Sequence, residues 1–161
     1  MIKQIQHFQM RYLIILLFLG GSLILAGCAN NQGKAQRLVQ LNLAPASDMP
    51  KFVHQALPEV QEAYRFAKAN PEILAQIPCY CGCNALGHLN NLECYVQPAG
   101  EFDNHAAFCG VCVDITRDTM EMLKRGKALP EIRDYIDSTY SQYGPPTDTG
   151  PVKTNSTNRS N

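Results

Sequence analysis

The chain has 161 residues, with 14 Lys or Arg set against 14 Asp or Glu and only 17% of its residues charged. So even a balance leaves no electrostatic footprint for nucleic acid and excludes a polybasic binder. Seven cysteines in a chain with no Trp direct attention to sulfur chemistry instead.

Lys3 and Arg11 precede a nearly unbroken run of Leu, Ile and Phe from Tyr12 to Leu25. Roughly 14 apolar residues are short for a membrane span, which needs about 20, and suit the core of a signal peptide. Ala26-Gly27 stands directly before Cys28, the pattern of a bacterial lipobox. Residues 1–27 are therefore expected to be a lipoprotein signal peptide, with Cys28 lipidated and anchoring the chain to a membrane in the cell envelope, outside the cytoplasm. An uncleaved anchor or a plain secretory peptide would place the remaining chain in the same compartment. Loss of Lys3 and Arg11 leaves 12 basic and 14 acidic residues, a net charge of −2, and six cysteines. An even count in an exported domain also fits a disulfide framework, with fifteen connectivities.

Residues 28–50 are polar and small, and read as a tether. The folded domain is expected over 51–144. From Gly144-Pro145-Pro146 onward the composition is Thr, Asn, Ser, Pro and Gly, so 145–161 reads as a disordered tail. Within the domain, Pro58 opens a helical pattern with Val60, Ala63, Tyr64 and Ala67 on one face; Asn70-Pro71 stops it and caps a second helix, which runs to about Ile77. Cys79 to about Gly100 carries Gly82, Gly87, Asn90-Asn91 and Pro98, and reads as irregular loop. A third helix is expected from near His105 to Arg125, with Phe108, Ile115, Thr119, Met122 and Leu123 as apolar steps and Gly126 as its stop. A fourth starts at Pro130, with Ile132, Tyr135, Ile136 and Tyr140 at helical spacing. The expected class is all-α, a small helical domain with an irregular cysteine-rich loop.

The chemistry concentrates in Pro78-Cys79-Tyr80-Cys81-Gly82-Cys83 and in Cys109-Gly110-Val111-Cys112, with Cys94, His88 and His105 between them. Extended backbone sends alternate side chains to one face, so Cys79, Cys81 and Cys83 can line one side of a loop, and Gly82 allows a turn. If 105–112 is helical, His105, Cys109 and Cys112 share a face fit for a soft or borderline metal. A Cys-x-x-Cys pair at a helix start also feels the positive end of the helix dipole, which favours a thiolate nucleophile. Val113 follows Cys112, so the haem-attachment pattern Cys-x-x-Cys-His is absent. The first cluster lacks zinc-ribbon spacing. Thiolate-rich sites select Cu(I), zinc or iron–sulfur clusters, and copper best suits an exported protein, with zinc second. Tyr80 and Tyr95 read as packing residues, while Glu101, Asp103 and Asp114 are available to orient imidazoles or to cap a helix. Nothing in the pattern marks a catalytic residue set.

The run Ala63-Tyr64-Arg65-Phe66-Ala67, Asn70-Pro71-Glu72, Ile77 to Cys83, Gly87-His88, Cys94 and Cys109 to Cys112 resembles the bacterial PCYCGC-motif (lipo)protein family. That resemblance implies a cysteine-rich lipoprotein domain and carries no activity with it. The C-terminal half, from Cys109-x-x-Cys112 through Met120-Glu-Met-Leu-Lys-Arg-Gly126, Glu131-Ile132 and Tyr143-Gly144-Pro145-Pro146, is similar to the helical-hairpin thiol reductases of cytochrome c maturation. There it implies a redox role for Cys109 and Cys112 alone. That family has a segment after its cysteine pair that is missing here, and no counterpart of Cys79–Cys83.

Three functions are thus expected to compete. The first is a membrane-anchored lipoprotein binding copper or zinc through Cys79, Cys81, Cys83, Cys109 and Cys112, with Cys94, His88 and His105 in reserve, and exchanging metal or thiols with a partner protein. The second is a thiol–disulfide oxidoreductase using Cys109 and Cys112. The third is a disulfide-stapled structural or binding module.

Overall fold

A computed structural model describes residues 39–153. The expected signal peptide, Cys28, the first part of the 28–50 tether and residues 154–161 lie outside the described residues. Among the described residues, five α-helices follow in chain order: α1 (Lys51–His54), α2 (Pro58–Ala69), α3 (Pro71–Leu74), α4 (Gly110–Lys124) and α5 (Leu129–Tyr140). Short 3-10 turns at Cys83–Leu86, Leu92–Cys94 and His105–Phe108 shape the long segment between α3 and α4. No strand is formed among the described residues; Val96 and Phe102 make an isolated bridge. The all-α class with an irregular cysteine-rich loop is what the molecule has.

Proline at the first turn starts α2, α3 and α5, where its missing N–H costs no helical bond. Helix α4 lies against both α2 and α5. It buries Cys112, Val113, Ile115, Thr116, Thr119 and Met120, a set at helical spacing that runs down one face. Val60, Ala63, Tyr64, Phe66 and Ala67 of α2 and Ile132, Ile136 and Tyr140 of α5 join it in the core, with Val53, Leu74, Ile77 and Tyr95. Gly126 follows α4 at φ +73°, in the left-handed region that ends a helix at low cost for glycine. No helix among the described residues is long and apolar enough to cross a membrane.

Five expectations change. The second helix ends at Leu74 rather than at about Ile77. The third helix does not begin at His105. Its first turn is 3-10, Cys109 is extended at φ −125° and ψ 100°, and the α-helix starts one residue later. Phe108 is consequently 85% exposed rather than a core step. Asn70 does not cap α3 with its side chain; its Nδ2 turns back to the carbonyls of Phe66 and Asn42, both at 2.9 Å. Finally, both flanks of the domain are tied down further than their composition predicts. Ala44 and Arg65 exchange bonds, Ala44 N to Arg65 O at 3.0 Å and Arg65 Nε to Ala44 O at 2.7 Å, while Leu41 and Leu43 pack on the core and Met49 is buried.

The other flank runs past Pro146 onto the cysteine loop. Thr147 is buried, and its backbone N–H donates to the Cys79 carbonyl at 2.9 Å while its Oγ1 accepts from the Cys79 N–H, also at 2.9 Å. Replacing it with Val keeps the shape and strands the Cys79 N–H in a buried place. Thr147→Val is therefore expected to destabilise the domain by about 1–3 kcal/mol in chemical denaturation, with the helical circular dichroism of the folded state unchanged.

Candidate metal centre

The motif loop leaves α3 through Ile77 and is fixed along its length. The Asn91 N–H donates to the Ile77 carbonyl at 2.8 Å, and Thr147 clamps Cys79. Tyr80 points the other way, its hydroxyl donating to Asp137 Oδ1 on α5 at 2.7 Å. Asp137 is in turn held by Arg133 Nε at 3.1 Å, and Arg133 Nη1 donates to the Gln76 carbonyl at 3.0 Å. The alternation expected of extended backbone thus sends Cys79 and Cys81 inward and Tyr80 against α5. Gly82 adopts φ +85°, a conformation that other residues rarely take, and the chain turns there into the 3-10 turn that carries Cys83.

A buried polar lattice locks the loop to the start of α4. Tyr95 OH donates to the Cys112 carbonyl at 2.8 Å, and Asn91 Nδ2 donates to the same carbonyl at 3.3 Å. Thr116 Oγ1 lies 2.6 Å from Asn91 Oδ1 and 2.8 Å from Tyr95 OH. All three side chains are fully buried. Such satisfied networks fix one arrangement of the elements that carry them.

The result is a single pool of sulfur. Cys79 Sγ lies 3.4 Å from Cys81 Sγ and 3.5 Å from Cys112 Sγ; Cys81 Sγ lies 3.5 Å from Cys112 Sγ, and Cys83 Sγ 3.5 Å from Cys94 Sγ. Bonded sulfurs are about 2.05 Å apart, and all six described cysteines are free thiols. The three-disulfide framework is therefore not present in this structure. Cys81, His105, Cys109 and Cys112 bring four donor atoms within 4.8 Å of one another, with His105 Nε2 3.4 Å from Cys81 Sγ. Tetrahedral zinc, with Zn–S bonds of about 2.3 Å, places its sulfurs about 3.8 Å apart, so these donors need little movement to close on an ion. Cys79, Cys83, Cys94 and Cys112 are buried, whereas Cys81 and Cys109 are partly exposed and give the pool its opening to solvent.

All eight residues singled out in the sequence converge. His105 does so without the shared helical face expected for it: the extended Cys109 breaks the helix, and the 3-10 turn returns the imidazole to the sulfurs. Of the carboxylates named in the sequence, Asp103 is one that stands beside both histidines. Its Oδ1 accepts the His105 backbone N–H at 2.7 Å, and its Oδ2 stands 3.7 Å from His88 Nε2 and accepts from the Gln97 amide. Gln97, Asn91 and Thr147 escaped the sequence reading, because polar residues in a loop carry no periodic signal.

The thiols perturb one another strongly. Hydrogen bonding from Cys112 holds the Cys79 thiol below its ordinary value, and Cys109 does the same for Cys81. Cys112 is pushed up, first by Cys109, and Cys83 is pushed up, first by Cys79. Among thiols this close, loss of a proton at one disfavours loss at its neighbours, and a bound cation is what relieves that repulsion.

No curated protein and no solved structure matches the chain, so the likeness to thiol reductases has no matched relative behind it. A family model does match, over residues 15–152, a span that includes both the loop and the cysteine pair. The chain belongs to the family described as proteins of unknown function with a PCYCGC motif.

Proposed function

We propose that this protein is a lipid-anchored protein of the cell envelope, held at a membrane through Cys28, that binds a soft metal ion, copper in the first place and zinc in the second. One observation carries the reading: three sulfurs and one imidazole, from Cys81, Cys109, Cys112 and His105, lie within 4.8 Å of one another. Soft thiolates with a borderline imidazole favour Cu(I) and zinc over hard cations. The half-exposed positions of Cys81 and Cys109 support exchange of the ion with a partner protein.

The thiol–disulfide reading draws on Cys109, which sits at the N-terminus of α4. Against it, although the contact with Cys112 draws the Cys109 thiol down, Cys81 and burial outweigh that and push it up. A reactive thiol needs the opposite.

The test is competition. Anaerobically reduced protein is expected to take Cu(I) from a colorimetric chelator, and the Cys81→Ser/Cys109→Ser double variant to take up measurably less of it. A wild-type chain that leaves all the copper on the chelator contradicts the reading.

A further inference from the structure

We infer that the centre holds two ions, the second at Cys79, Cys83, Cys94 and His88, in contact with the first site. This rests on the soft-metal reading above and extends it. After Cys81, His105, Cys109 and Cys112 are assigned to one ion, those four donors are what remain of the pool, and they form a second set of three sulfurs and one imidazole. Cys83, His88 and Cys94 already bring their donor atoms within 4.8 Å of one another. Cys79 Sγ is within 4.8 Å of the Cys83 sulfur and of the Cys94 sulfur.

His88 supplies the observation that points to a ligand. The ring is 5% exposed, and its Nδ1 is a buried polar atom with no hydrogen-bond partner. Its other nitrogen is engaged. The hydrogens of the Gln97 amide have acceptors in the Glu93 carbonyl and Asp103 Oδ2, so His88 Nε2, 3.3 Å from that amide and 3.7 Å from Asp103 Oδ2, is the nitrogen on which the carboxylate favours a proton. A proton on Nε2 leaves an unshared electron pair on Nδ1. Carboxylate, imidazole and metal in that sequence are the usual arrangement around a histidine ligand, with the carboxylate fixing the tautomer. An orphaned acceptor among buried thiols is unfavourable without a cation and satisfied with one.

Cys79, Cys83, Cys94 and Cys112 are all buried. The two sets abut where Cys79 Sγ meets Cys81 Sγ at 3.4 Å and Cys112 Sγ at 3.5 Å, so sulfur at this seam is within reach of both ions. The two imidazoles stand edge to face at 5.4 Å, one for each set. Asp103 touches both histidines, through the His105 backbone and the His88 ring.

The full chain, reduced and loaded with ¹¹³Cd(II) as the probe ion, would be examined by native mass spectrometry and ¹¹³Cd NMR. Two cadmium ions per chain and two resonances in the thiolate range are expected. His88→Ala is expected to retain one ion and one resonance, that of the Cys81, His105, Cys109 and Cys112 site. Cys83→Ser/Cys94→Ser is expected to behave in the same way, so the result does not depend on one variant folding. One ion per wild-type chain, unchanged in His88→Ala, overturns the second site while leaving the single-ion function standing. No bound cadmium overturns both.

Discussion

Cys112→Ser is expected to weaken binding at the site it shares with Cys81, His105 and Cys109 by more than about 100-fold, the largest effect of any single cysteine. Loss of a residue that merely supports a ligand commonly costs 10–100-fold, and Cys112 is itself a proposed ligand. Its sulfur contacts Cys79 and Cys81, at the seam of the pool. Its backbone carbonyl, which the substitution leaves in place, holds Tyr95 and Asn91. Serine is close to cysteine in size, so the helix start should survive while the soft donor is lost. The check is a competition titration of wild type and variant side by side, with circular dichroism to confirm the fold. Equal affinities would remove Cys112 from the site.

Removal of metal is expected to produce the second large effect, on stability. A ligand present at about 1,000 times its Kd adds about 4 kcal/mol to folding. For a domain of this size that is on the order of 15 °C in Tm. The loop from Cys79 to Asn104 holds only short 3-10 turns and an isolated bridge, and an ion that gathers ligands from both ends of it closes a long segment of chain. Scanning calorimetry of the reduced protein with bound zinc, and again after chelation, measures the difference. A Tm that does not move would mean that metal binding is not linked to the folding of this loop.

Much of the helical frame was legible because helices announce themselves twice. Pro58, Pro71 and Pro130 mark first turns, and Val60, Ala63, Tyr64 and Ala67, or Ile132, Ile136 and Tyr140, recur with helical period. The break at Cys109 left no such trace. Its apolar neighbours continue the pattern across it, and only the backbone shows the extended residue. The flanks were misjudged for a related reason: composition averaged over 28–50 and 145–161 hides the single residues, Ala44, Met49 and Thr147, that dock. Each is held by a tertiary bond or a buried contact rather than by local propensity.

The site was legible in its atoms and not in its grouping. Six cysteines and two histidines stood out by chemistry, and all eight meet. Which histidine faces which sulfur depends on loop geometry set by Gly82 and by the Asn91, Tyr95 and Thr116 lattice, none of which has a spacing rule. Asp103 was recognisable as an available carboxylate; that it serves two histidines follows only from the fold.

The central claim is that these sulfurs hold metal, and the most direct measurement is elemental analysis of the protein purified without chelator, joined to a count of free thiols after denaturation. Bound copper or zinc together with six titratable thiols from Cys79, Cys81, Cys83, Cys94, Cys109 and Cys112 is the expected result. Protein with no metal and no free thiol among those six would contradict it, and would show that the pool closes into disulfides instead.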